Sequence, residues 1–355
     1  MKFKNLHKLL GLFLILVFVN SVVFAGPRSK YGLAAAPELL IPVGSIGTSL
    51  SGSDLANVSG VEAIYWNPAG LGSISNKNGE ALFSHQKYIA DINVNYVAGA
   101  YKLGSLGTFG LSVKALGFGD IPITTVDAPD GTGQTYSPTY LTAGVSYARS
   151  MTDRILFGAT FKVITESITN ESASGIAVDL GLQYLVGTTG LKFGVALKNI
   201  GPSMKFDGSD LESFYQPPGT PIGTKNQPRR VTLADFELPT SLSLALSYDL
   251  KVGKNNNVAF NGTFQNNSYS PDDYAVGVEY NFKKIVYLRA AYNLDQEFWV
   301  KPVGIKSQDR LFGPTAGIGL KYDFGNLNVS FDYAYRYVTQ SALSANQFFT
   351  LNLGF

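Results

Sequence analysis

From about residue 80 to residue 355 the chain is governed by a two-residue period, the spacing at which side chains alternate between the two faces of a β-strand. Tyr274, Val276, Val278, Tyr280 and Phe282 share one face, with Ala275, Gly277, Glu279 and Asn281 opposite. Leu327, Val329, Phe331, Tyr333, Tyr335 and Tyr337 alternate in the same way with Asn328, Ser330, Asp332, Ala334 and Arg336, and the pattern recurs over 176–184. Such windows predict about fourteen strands, near 80–88, 93–102, 106–118, 138–149, 153–167, 173–186, 190–200, 239–249, 256–268, 273–282, 285–294, 312–322, 326–337 and 345–355.

Alternation suits a soluble sandwich as well as a membrane barrel, so the connections decide between them. Every second link is short (104–105, 150–152, 187–189, 251–255, 283–284 and Gly325), whereas the links between include long stretches at 119–137, 201–238 and 295–311. Short turns at one end and long loops at the other mark a transmembrane barrel, and an even strand count lets it close without edges. The polar face carries Lys162, Asp179, Lys192, Glu279, Arg289, Lys321, Asp332 and Arg336, which are tolerable in a lumen and costly against hydrocarbon. Tyr184, Tyr248, Tyr292 and Tyr322 lie near strand ends, as interfacial girdles require. The expected fold is all-β: a transmembrane antiparallel barrel of about fourteen strands over residues 80–355.

Lys2, Lys4 and Lys8, the apolar run from Leu9 to Val19 and the ending Val23-Phe24-Ala25 read as a secretory signal peptide over 1–25, cleaved near Ala25. Its loss leaves basic and acidic side chains almost balanced, which disfavours nucleic acid as a partner and leaves outer-membrane lipid as the expected one. Cysteine is absent and the histidines are His7 and His85, so thiolate metal sites, nucleophilic cysteine and most imidazole chemistry are excluded. No serine can be set beside His85 to make a nucleophile, and Asp127 and Asp130 lack the spacing of a calcium loop. An enzyme, a metal or a cofactor is therefore not expected.

The last strand presents Phe349, Leu351, Leu353 and Phe355 on one face, an arrangement similar to the terminal signal by which bacterial machinery assembles outer-membrane barrels. The long loops supply Phe214, Tyr215, Arg229, Arg230, Phe298 and Trp299, the aromatic and arginine types that anchor protein interfaces, so these loops are candidate partner-binding surfaces.

Residues 26–79 do not alternate and are too few for an independent domain, so they are expected to pack inside or under the barrel. They contain Trp66-Asn67-Pro68-Ala69-Gly70-Leu71, a bend in which Pro disfavours helix at Asn67 and Gly70 permits a sharp turn. This segment resembles the amino-terminal hatch of the FadL superfamily of fourteen-stranded outer-membrane barrels. The ordered set Gly44-Ser45-Ile46-Gly47-Thr48-Ser49-Leu50-Ser51-Gly52, Ser84-His85 with Ala90-Asp91-Ile92, Gly131-Thr132-Gly133, Ser146-Tyr147-Ala148-Arg149, Asp179-Leu180-Gly181 and Asn199-Ile200-Gly201 is similar to the PorV/PorQ family. That resemblance implies an outer-membrane protein tied to type IX secretion, binding or escorting cargo that carries a carboxyl-terminal signal domain, near a translocon. The alternative is a FadL-like channel for hydrophobic small molecules.

Overall fold

A computed structural model describes residues 32–74, 78–221, 225–295, 311–340 and 342–355. The expected signal peptide over 1–25, and the loop residues Phe298 and Trp299, lie outside the described residues.

Fourteen strands close into one antiparallel barrel. They are β1 (Gly79–Lys87), β2 (Asn93–Lys102), β3 (Thr108–Gly117), β4 (Thr139–Ser150), β5 (Ile155–Ile168), β6 (Glu171–Leu185) and β7 (Leu191–Ile200), then β8 (Ser241–Val252), β9 (Asn256–Asn267), β10 (Asp273–Phe282), β11 (Val286–Asp295), β12 (Phe312–Asp323), β13 (Asn328–Val338) and β14 (Asn346–Gly354). Each pairs with its neighbour in sequence, and β1 pairs with β14 from Glu80 opposite Gly354 to Lys87 opposite Gln347. Beyond that ladder Gly79 and Phe355 exchange two backbone hydrogen bonds of 2.9 Å, and the Phe355 ring covers Gly79 so closely that a Cβ there would stand 2.7 Å from it.

Alternation sorts the side chains as the period requires. Phe83, Val97, Leu111, Val145, Phe161, Phe260, Val276, Val278, Leu288, Ile318 and Phe331 point outward and are exposed. An outward belt of this kind suits hydrocarbon and is costly in water. Phe349, Leu351 and Phe355 belong to the same belt. The opposite faces of the strands carry paired charges: Lys162 with Asp179 at 2.7 Å, Lys192 with Asp249 at 2.8 Å, and Arg289 with both Glu279 at 2.6 Å and Asp332 at 2.7 Å. Pairing is what makes buried charge tolerable there.

The short turns follow local rules. In the three-residue connection between β10 and β11 the Ile285 amide donates to the Phe282 carbonyl at 3.0 Å, Lys283 and Lys284 both adopt positive φ, 54° and 59°, as the central pair of a primed turn does, and the Asn281 carboxamide oxygen accepts from the Lys284 amide at 2.7 Å. The ladder between β6 and β7 carries the main irregularity. Asn199, at φ 60°, forms a bulge and donates its amide to Asp179 at 2.7 Å; asparagine tolerates that left-handed conformation. The chain then leaves the ladder, Met204 tucks against Gly175, and Phe206–Gly208 rejoins β6 opposite Ala173–Glu171.

Arginine placed on the outer belt should destabilise the barrel in proportion to its depth. Val278→Arg is expected to cost about 2–4 kcal/mol in a denaturant titration in lipid vesicles, and an unchanged midpoint would contradict the assignment of this face to lipid.

Candidate functional site in the barrel lumen

Residues 32–74 run through the lumen from the long-loop end to the short-turn end. At the first end the Gly32 amide donates to the Tyr269 carbonyl, and Ala35 to the Glu237 carbonyl at 2.9 Å. At the other end Pro68–Ser73 lies against β4, β5 and β6. Between them are α1 (Ser45–Ser49) and α2 (Ala63–Trp66). The wall holds this plug from all sides: Thr350 of β14 bonds Ser45, Thr315 of β12 donates to the Ser49 carbonyl, Thr263 of β9 to the Ser53 carbonyl and Gln183 of β6 to the Leu55 and Val58 carbonyls. Glu80 of β1 accepts from the Val61 amide, and the Lys114 ammonium of β3 donates to the Glu38 and Ile41 carbonyls. A short plug without a core of its own thus has its exposed backbone groups satisfied by the barrel.

Trp66 and Asn67 organise the plug's interior. Helix α2 stops at Asn67, which is extended at φ −151° and ψ 103° because a proline follows. The fully buried Asn67 side chain caps the next turn by accepting from the Ala69 amide at 3.3 Å, and donates to the Leu55 carbonyl at 2.9 Å and to Leu182 of β6 at 3.4 Å. Two glycines that face each other across β5 and β6, Gly158 and Gly181, make room for it: a Cβ at Gly158 would stand 2.2 Å from the Pro68 carbonyl oxygen, and one at Gly181 2.1 Å from Asn67 Oδ1. Ala69, Gly70 and Leu71 are buried here, with Gly70 against the Val58 carbonyl. The Trp66 indole donates to the Val43 carbonyl at 3.1 Å, meets Tyr65 edge-on at 5.1 Å, and leaves no space for a Cβ at Gly47 or Gly52. Lys198 of β7 lies 4.0 Å over the Tyr65 ring and 5.8 Å from Trp66, a cation–π pair that ties plug to wall. The Gly44–Gly52 run and the Trp66–Leu71 run, separate in the chain, are one packed unit.

At the long-loop end a cavity of about 160 Å³ opens between plug and wall. It is lined by Ala34–Pro37 of the plug, Tyr140 of β4, Glu166 of β5, Ala173 of β6, and Met204, Lys205, Phe206 and Phe236 from the loop after β7. Ala35, Ala36, Leu39, Ile164, Ala173, Ala177, Met204 and Leu238 form one apolar cluster around it. None of these residues carries a periodic or motif signal that would single it out in the sequence.

The predicted loop residues divide. Glu212–Tyr215 and Gln227–Arg230 pair as a hairpin; Phe214 is 73% exposed, Arg229 stacks 3.7 Å over Tyr215, and Arg230 forms an ion pair with Asp207. His85 lies outside the lumen on β1, its Nδ1 2.8 Å from Asn95 Oδ1. Among the described residues no group of three or more histidine, aspartate or glutamate side chains is set to hold a metal ion.

Solved structures match this barrel over nearly its whole length. The toluene transporter TbuX of Ralstonia pickettii is 14% identical, with a TM-score of 0.52, covering 87% of this chain and 97% of its own. A FadL homologue of Pseudomonas aeruginosa is 12% identical, TM-score 0.52, with 88% and 98% covered. The toluene transporter TodX of Pseudomonas putida is 14% identical, TM-score 0.50, with 86% and 96% covered. The chain has a FadL-type fold. At the level of sequence, no family model and no curated protein matches it.

Two plug carboxyls make the plug sensitive to pH. Burial pushes Glu62 up to about 8, although it accepts from the Gly47 amide at 2.9 Å, and burial pushes Asp54 up to about 7. Asp332, Asp54 and Arg289 also act on Glu62, and Glu279 and Arg289 on Asp54. The folded state binds protons that unfolded carboxyls release near pH 4, so this stabilisation is complete below that pH and is lost as pH rises through about 7 to 8. Thermal midpoints in detergent should therefore fall between about pH 5 and 8 and then level off, and Glu62→Gln should flatten the fall. A midpoint that rises over this range would contradict the burial of both groups.

Proposed function

We propose that the protein is an outer-membrane channel admitting small hydrophobic molecules, with residues 32–74 as its hatch and the long-loop cavity as its first binding site. The observation that carries this reading is the cavity itself. Its volume of about 160 Å³ compares with about 150 Å³ for an apolar protein cavity that takes up benzene. Its walls are mainly alanine, methionine and aromatic carbon, as a site for apolar molecules requires. The toluene transporters share the fold, which supports the same class of traffic here. In this reading 1–25 exports the chain, and the outward face of Phe349, Leu351, Leu353 and Phe355 serves as the assembly signal.

Filling the cavity should block it. In liposomes, Ala173→Trp is expected to lower toluene uptake by about tenfold or more while the barrel still migrates as a folded species on unheated gels. Undiminished uptake by the folded variant would overturn the proposal.

The hairpin favours a second reading, in which the protein holds exported cargo of type IX secretion in the manner of the PorV/PorQ family. Its exposed Phe214 and the stacked Arg229–Tyr215 pair are the side-chain types of an interface anchor. Deleting residues 209–231 separates the two: loss of a co-purifying exported protein with uptake intact favours the second.

A further inference from the structure

The long-loop cavity is lined mainly by apolar side chains, with Tyr140, Glu166 and Lys205 among them, and a buried carboxyl is a feature that a hydrocarbon site does not need. Glu166 lines it, is only 3% exposed, and its Oε1 has no hydrogen-bond partner. Glu38, next to the lining residue Pro37, is 1% exposed, and neither of its carboxyl oxygens has a donor. The two carboxyl groups lie within hydrogen-bond reach of each other. A proton shared between them fits this contact, and burial pushes Glu38 up, but one proton cannot satisfy all the acceptors. Lys114, the cation that acts on Glu38, does not supply the deficit: its ammonium is bonded to the backbone carbonyls of Glu38 and Ile41 and to neither carboxyl oxygen of Glu38. Lys205 sits at the rim and is exposed.

We propose that this cavity selects small aromatic molecules carrying a hydroxyl donor, ahead of plain hydrocarbons and of carboxylic acids. The inference rests on the cavity being the binding site of the channel proposed above. A hydrocarbon fills the apolar volume but leaves the buried oxygens without donors, a standing cost. A carboxylate brings a third acidic group to the pair. An ammonium would meet the acidic pair, but with one proton shared there and Lys114 already acting on Glu38, a single negative charge stands against the cost of stripping the cation of water among alanine, methionine and phenylalanine side chains. A neutral hydroxyl fits both parts of the site, its ring against Ala173, Met204 and Phe236 and its proton directed to Glu166. Sites that hydrogen-bond a ligand hydroxyl reject the analogue lacking it much more strongly than apolar pockets reject an added group.

Equilibrium dialysis of the full mature protein in detergent tests this with three probes that share one ring and one methyl group: 4-methylphenol, toluene and 4-methylbenzoate. The expected result is 4-methylphenol bound about tenfold or more tighter than toluene, with 4-methylbenzoate weakest. Glu166→Leu should bring the ratio of 4-methylphenol to toluene down to about one, because the acceptor is gone and the volume is kept. Toluene bound as tightly as 4-methylphenol by the unaltered protein overturns the inference, and that comparison needs no variant to fold. So does preference for 4-methylbenzoate, which would mean that Lys205 rather than Glu166 decides, and so does full selectivity in a folded Glu166→Leu protein. In each of these cases the cavity remains a binding site. If none of the three probes binds, the proposed channel site fails together with the inference.

Discussion

A backbone amide or carbonyl facing hydrocarbon has no water to pair with, and this constraint shapes the whole molecule. Closure through Gly79 and Phe355, and through the β1–β14 ladder, leaves no free edge at the seam. Closure also creates an interior, which is filled in two ways. Charges on the inward faces pair between strands, as Arg289 of β11 does with Glu279 on the adjacent β10 and with Asp332 on β13, one strand beyond β12. The amino-terminal segment occupies much of the remaining space and borrows hydrogen bonds from seven of the strands around it.

The contact between plug and wall is built by removing side chains. Gly158 and Gly181 clear a flat area on β5 and β6 for Asn67 and Pro68, and Gly47 and Gly52 do the same for Trp66 within the plug. A close-packed fit of this kind places the plug along one axis, with its first described residues at the long-loop mouth. The apolar cavity exists because Ala34–Pro37 are small and slender where they enter beside Ala173, Met204 and Phe236. Position in the fold, rather than any one residue type, makes it a candidate site.

The barrel was largely legible in the sequence because its signal is repeated. Residues 93–102 and 273–282 match the observed strands end to end, and the other predicted strands shift by one to three residues. The inward charges were legible for the same reason, since Lys162, Asp179 and Arg289 occupy the polar phase of their strands. The bend at Asn67 could be read from local chemistry, but its partners could not: Gly158 and Gly181 look like any other small inward residues until the wall is folded around the plug. The cavity was not legible at all. Tyr140, Glu166, Ala173 and Met204 come from separate parts of the chain, and only closure brings them together. Exposed loop chemistry was legible as composition, and Phe214, Tyr215 and Arg229 do share a hairpin, yet composition alone could not say that Arg230 is engaged by Asp207.

The fold is a sheet closed around its own amino-terminal segment. Ser45 Oγ and Thr350 Oγ1 lie 2.8 Å apart, one on the plug and one on the wall, in a chain that has no cysteine. Cysteines placed at both positions should form a disulfide in isolated outer membranes under mild oxidation, seen as a shift in gel mobility that reductant reverses. Two thiols that stay free and react with a bulky water-soluble reagent would contradict a plug held inside the barrel.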